Sequence, residues 1–118
     1  EAQRVAIARA LASQPDLLCA DEPTSMLDVS IRAGILNLLM ELRDRENLAC
    51  ILITHDLAAA RYASDRVLVL RDGSVVERGD TETIVSNPEH EYTRALLDAV
   101  PERWEFNSPV GTAGSVAP

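Results

Sequence analysis

The run Leu17-Leu18-Cys19-Ala20 stops at two adjacent carboxylates, Asp21 and Glu22, and Pro23 follows them. A short apolar run cut off by charge, and then by a residue with no N–H to give a ladder, predicts a buried strand that ends in a polar turn. In open α/β sheets, ligands bind at the carboxyl ends of parallel strands, and neighbouring side chains there point to opposite faces. Asp21 and Glu22 can therefore take different tasks. One can reach a magnesium ion, usually through water, while the other faces an attacking water as general base. Taken alone, an acidic pair after a strand is more often a solvated turn or a helix cap.

The residues C-terminal to the pair give it a setting. Asp28 stands just before an amphipathic run and is placed to accept from the first free N–H groups of a helix reaching about Asn47. Ile31, Ile35, Leu38 and Leu42, with Leu39 beside them, form its apolar stripe, and Arg32, Asn37, Glu41 and Arg45 its polar side. The continuous run from Cys50 to Thr54 predicts a second strand buried on both faces, delivering His55 and Asp56 at its end. Strand, helix, strand is a βαβ unit, whose strands run parallel and bring His55 to the same sheet edge as Glu22. A single histidine after a strand is ordinarily a structural hydrogen-bonding group.

The flanks read more simply. Glu1 to Gln14 predicts a helix with Val5, Ala8 and Ala12 on one face, Ile7 and Leu11 on an adjoining one, and Arg4 and Arg9 exposed; Pro15 and Asp16 end it. Leu57 to Ser64 predicts a short helix. Two strands, Val67 to Arg71 and Ser74 to Arg78, flank Asp72-Gly73, a strong hairpin signal because such a turn needs positive φ. A helix from Gly79-Asp80-Thr81 through Val85 and another from about Tyr92 to Val100 complete the ordered part, with no chemistry inferred for His90 or Tyr92. From Glu102 to Pro118, small residues and proline replace any apolar period, which predicts a disordered tail docked at most through Trp104 and Phe106.

Composition excludes several functions. The 118 residues carry a formal charge of −8, which repels nucleic acid and anionic membranes. No apolar run approaches the roughly 20 residues of a membrane helix, and no signal peptide is recognisable, so a soluble cytosolic chain is expected. Cys19 and Cys50 lack metal-ligand or redox spacing and are expected to be inert, buried in their strands.

Several stretches resemble one family in its motif order. Asp21-Glu22-Pro23-Thr24-Ser25, two residues and then Asp28 resemble the Walker B segment and D-loop of ATP-binding cassette (ABC) ATPases, with Met26 where Ala is commoner. Glu1 to Leu11 is similar to the continuation of the cassette signature, and Thr54-His55-Asp56 to the H-loop. Pro88 to Pro101 resembles the C-terminal segment of the oligopeptide and dipeptide importer branch, supported by Asp28-Val29-Ser30 before an Ile-Leu-Asn-Leu-Leu helix.

The resemblance implies an α/β fold: the C-terminal part of a P-loop NTPase (RecA-like) domain over residues 1–101, with parallel core strands, flanking helices and a β-hairpin, then a tail over 102–118. It implies ATP and Mg2+ as cofactors. Asp21 would organise the metal, Glu22 polarise the water, His55 contact the terminal phosphate and Asp28 bridge subunits, with Ser25, Glu1 and Gln3 joining Asp28 in nucleotide contact. The implied partners are a second ATPase subunit, membrane permease subunits and, indirectly, an external solute-binding protein, without nucleic acid, at the inner face of the cell membrane. Two motifs of the family are missing from these residues: the Gly-x-x-x-x-Gly-Lys-Ser/Thr phosphate loop and the glutamine loop. The alternatives are a cassette ATPase acting on ribosomes or DNA, and a non-catalytic, degenerate interaction module.

Overall fold

Three segments rich in β-branched and apolar residues alternate with helical stretches in the first two-thirds of the chain, and the computed structural model, which describes residues 2–100, turns that alternation into two small sheets with helices against them. Helix α1 (Ala2–Leu11) precedes strand β1 (Leu17–Asp21). Helix α2 (Val29–Glu46) then crosses to strand β2 (Ala49–Ile53), which pairs with β1 in parallel from Leu17 opposite Ala49 to Asp21 opposite Ile53. The expected βαβ unit is present. Asn47, in the left-handed region at φ 53°, ends α2, and the N–H of Leu48 closes onto the carbonyl of Arg43 at 3.0 Å.

The expectation of a buried β1 and of a β2 buried on both faces does not hold among the described residues. Leu18 and Ala20 face a core of Ile35, Leu39 and Leu48, joined by Ile7, Ala10, Leu11 and Leu27. On the opposite face Leu17, Cys19, Ile51 and Ile53 are exposed, Ile51 by 50%. The reason is one-sided cover: α1 and α2 both lie against the Leu18 face. The helix α1 uses Ile7 and Leu11 for this, and Val5, expected on a packing face, is exposed. The cysteines differ from expectation accordingly, Cys19 being exposed and Cys50 half-buried. Burial pushes the Cys50 thiol up, against the pull of Arg43, so it stays protonated and unreactive at neutral pH.

After helix α3 (Leu57–Ala63), strands β3 (Arg66–Arg71) and β4 (Ser74–Asp80) form an antiparallel hairpin. Its turn is the one Asp-Gly predicts, with φ 51° at Asp72 and 79° at Gly73. One face of the hairpin buries Val67 and Val69 against Ile84 of helix α4 (Thr81–Ser86) and against Tyr92 and Leu96 of helix α5 (Glu91–Asp98), while Leu68 and Leu70 face outward. The predicted tail with Trp104 and Phe106 lies outside the described residues.

His90 and Tyr92, to which sequence assigned no task, fasten α5 to the hairpin. Both oxygens of Glu77 are used: the N–H groups of Glu89 and His90 donate to them, each at 2.9 Å. The Nδ1 of His90 accepts from the N–H of Tyr92 at 3.0 Å, and the Arg71 guanidinium stands 5.1 Å from the Tyr92 ring centre. The Glu89 N–H, with that of His90, holds the Glu77 carboxyl below the usual carboxylate range. A depressed pKa in the folded state means that the clamp is at full strength at neutral pH and fades as pH falls through that lowered value. Glu77→Ala is expected to lower the opening free energy of α5 by about 1 kcal/mol at pH 7, a modest figure because the carboxylate is solvent-screened. Hydrogen exchange across α5 reads this difference, and it should shrink in acid.

Candidate functional site

The site is built where β1 and β2 end together. The N–H of Glu22 donates to the carbonyl of Ile53 at 2.7 Å, which carries strand pairing one residue past β1. Glu22 itself takes φ 47°, a left-handed conformation that a residue with a Cβ adopts only at a cost of order 1 kcal/mol. That turn sets its carboxylate across the end of β2. Its Oε1 accepts the N–H of His55 at 3.1 Å and lies 2.8 Å from His55 Nδ1. A carboxylate only accepts, so Nδ1 carries the hydrogen, and Oε2 is left to accept from water. A neutral His55 ring in this tautomer presents Nε2 as an acceptor. An imidazolium would donate from both nitrogens.

The expectation that Glu22 and His55 share one sheet edge agrees with this geometry, which goes further in joining them directly. The imidazole is 81% exposed and the Glu22 side chain 35%. Asp21 ends the uncovered face opposite Ile53 and is exposed. Pro23 and Thr24 are buried and anchor the loop after Glu22, whose N–H groups at Ser25 and Leu27 turn back to the carbonyls of Glu22 and Thr24 at 3.2 and 3.4 Å. Ser25 is exposed, and Met26, at φ 64°, is 98% exposed.

Asp28 does not behave as the helix-capping rule predicts. It occupies the N-cap of α2, and its carbonyl accepts the N–H of Arg32 at 2.8 Å, yet its side chain makes no capping bond and is exposed. The helix therefore makes no use of this carboxylate. Gln3 lies in α1, and no hydrogen bond among the described residues ties it to the strand ends; Glu1 lies outside the described residues.

Two further residues belong to this edge, Asp56 at the strand end where sequence put it and Arg32 from the polar side of α2. Asp56 caps α3, accepting from Ala58 N–H at 2.9 Å and Ala59 N–H at 3.4 Å. Arg32, expected on the solvent side of α2, sends Nε to the carbonyl of Leu27 at 2.7 Å and a terminal nitrogen to within 4.0 Å of Asp56. An acidic residue before Leu57-Ala58-Ala59 is a recognisable cap signal. For Arg32 the Leu27 carbonyl lies five residues upstream, whereas Asp56 is brought near by how α2 and α3 pack.

The edge opens on a cleft of about 1320 Å³ between the two sheets, lined by Glu22, Thr54 and His55 together with Ile51, Ile53 and Leu68. No three His, Cys, Asp or Glu side chains among the described residues converge as a metal cage. Magnesium does not require one, since it keeps several waters and binds through one or two carboxylates plus substrate phosphates. An exposed Asp21 beside a Glu22 already engaged through one oxygen fits that pattern.

Comparison with known proteins points in the same direction. Residues 76–111 match the family model described as the oligopeptide/dipeptide transporter, C-terminal region. The dipeptide transport ATP-binding protein DppD of Escherichia coli (strain K12) is 48% identical over 116 residues, 98% of this chain and 36% of that protein. The oligopeptide transport ATP-binding protein OppD of Mycobacterium tuberculosis (strain ATCC 25618 / H37Rv) is 52% identical over 100 residues, 85% of this chain and 16% of that protein. Among solved structures, cbiO1 from Clostridium perfringens, part of the ABC transporter complex cbiONQ, aligns with a TM-score of 0.67 and 33% identity, over 71% of this chain and 34% of that one. The chain thus spans about a third or less of the length of these relatives. By its strand-end motifs, its fold and its C-terminal region, the chain belongs to the ABC ATP-binding proteins of the oligopeptide/dipeptide transporter family.

Proposed function

We propose that this chain supplies the Walker B, D-loop and H-loop part of a subunit that hydrolyses ATP to drive peptide import. The observation that carries the reading is the Glu22–His55 pair at the shared end of two parallel strands, with one carboxylate oxygen held and the other open. Bound Mg-ATP supplies the electrophilic terminal phosphorus. Asp21 would hold the metal, mostly through water. Glu22, oriented by the His55 backbone and ring, would take a proton from the attacking water through Oε2. His55 would turn its outer nitrogen to the terminal phosphate, a contact in which the doubly protonated ring donates.

Asp28 and Ser25, both exposed on the loop after Glu22, would meet a second ATPase subunit and its nucleotide, and Glu1 and Gln3 would contribute from the signature helix. Two such subunits would enclose two ATP molecules beneath membrane permease subunits, at the cytoplasmic face, with an external binding protein supplying solute indirectly. The matched C-terminal region and the charge of −8 favour a peptide importer over an ATPase acting on ribosomes or DNA. No helix among the described residues is long and apolar enough to cross a membrane, which suits a peripheral subunit.

Three outcomes test the reading. In a full-length subunit carrying this chain, Glu22→Gln should lower steady-state turnover by about 10²–10⁴-fold while sparing ATP binding, because the amide still accepts from His55 but takes no proton. Turnover near wild type would reject Glu22 as the base. His55→Ala should cut turnover by at least about tenfold and leave the melting temperature nearly unchanged, since the ring is exposed and the backbone N–H to Glu22 survives; parallel losses of both would make His55 structural. The 118-residue chain by itself should show no thermal shift with Mg-ATP. Its sequence has no lysine and no glycine-rich phosphate loop to hold the phosphates. Ligand at a hundredfold excess over Kd would stabilise by about 2.7 kcal/mol, several degrees for a domain of this size, so a reproducible shift would reveal another nucleotide site.

A further inference from the structure

Beyond Asp21 and Ile53 the parallel ladder ends, and the two groups proposed to act on water sit on separate loops, one running from Glu22 to Asp28 and the other from Thr54 to Asp56. The first loop holds two non-glycine residues, Glu22 and Met26, in left-handed conformations, which persist only where the surroundings enforce them. Arg32 touches both loops. Its Nε donates to the carbonyl of Leu27 at 2.7 Å, near the end of the first, and its terminal nitrogen lies 4.0 Å from the carboxylate of Asp56, the residue after His55. Asp56 is in turn fixed, by its cap on α3 and by its N–H donating to Thr54 Oγ1 at 3.0 Å.

We propose that Arg32 is a positioning residue for the Glu22–His55 pair, bracing the two loops so that carboxylate and imidazole keep their mutual placement. The proposal rests on the hydrolytic reading above and adds to it a residue that acts through the two loops. Two features make the brace effective. The side chains of Arg32 and Asp56 are only 24% and 19% exposed, so their attraction is screened less than that of a surface pair. A planar guanidinium can also donate to a carbonyl through one nitrogen while another keeps its charge near a carboxylate, whereas an ammonium serves as one point charge. Release of the brace lets the Glu22 and His55 loops move independently, and a displacement near 1 Å at a reacting group costs on the order of 10²-fold in rate.

The test is steady-state ATP hydrolysis by a full-length subunit carrying this chain, with kcat and KM for Mg-ATP measured for Arg32→Met, Arg32→Lys, Asp56→Asn and Glu22→Gln alongside melting temperatures. Arg32→Met keeps the stem and removes the donors; it should lower kcat by about ten- to a hundredfold with KM changed less than about twofold, and Arg32→Lys should recover part of the loss. A wild-type kcat in Arg32→Met overturns the proposal, as does a loss in both Arg32 variants that tracks melting temperature. If Arg32→Met does not fold, Asp56→Asn decides, because its amide oxygen keeps the α3 cap while the charge is lost: a lowered kcat supports the brace and a wild-type kcat overturns it. Glu22→Gln separates the two levels. Near wild-type turnover there rejects the hydrolytic reading and this proposal with it, whereas an inactive Glu22→Gln beside a fully active Arg32→Met rejects the brace alone.

Discussion

Everything at the candidate site depends on the parallel ladder between β1 and β2. Five residues pair in register from Leu17 with Ala49 to Asp21 with Ile53, and the N–H of Glu22 extends that pairing by one more bond. Parallel pairing forces both strands to end at the same edge, so groups 33 positions apart in sequence come to share one carboxylate oxygen. An antiparallel arrangement would have put His55 at the opposite end of the sheet. The helix α2 makes the parallel arrangement possible, because strands of the same direction need a long crossover, and its Ile35 and Leu39 hold that crossover to the Leu18 face.

The packing is conspicuously one-sided. Both helices that touch the parallel pair cover the Leu18 face, leaving Leu17, Ile51 and Ile53 exposed, and Leu68 and Leu70 of the hairpin are likewise uncovered. Purely parallel sheets are normally covered on both faces, and their strands carry continuous apolar runs for that reason. The sequences of β1 and β2 have such runs. The chain corresponds to about a third or less of the length of its relatives.

Local strain and long-range ties are concentrated at the same edge. A left-handed Glu22, a left-handed Met26 and an N-cap aspartate that does not cap all fall within the seven residues from Glu22 to Asp28. Other local signals are obeyed, as Asp-Gly makes its hairpin turn, Asn47 closes α2 and Asp56 caps α3, while Gln14 is also left-handed and Asp80 also leaves its helix uncapped. Several departures from local preference gathered in one loop suit a preorganised site, since side chains aimed at a ligand cannot also satisfy their own backbone.

Sequence by itself determined the elements and their order, because apolar periodicity, turn chemistry and the motif run from Asp21 to Asp28 are local properties. It also located Glu22 and His55 at one edge, through the handedness of a βαβ crossover, and His55 among family motifs that no spacing argument would have singled out. Tertiary structure alone decided which faces are covered, and therefore that Cys19 is exposed and that Val5 does not pack. It decided that Asp28 leaves its helix uncapped, that His90 and Glu77 fasten α5, and that Arg32 turns from the expected solvent side toward Leu27 and Asp56. Most of these depend on residues distant in sequence, fixed by how the helices settle on the sheets, and no pattern within a single segment encodes them.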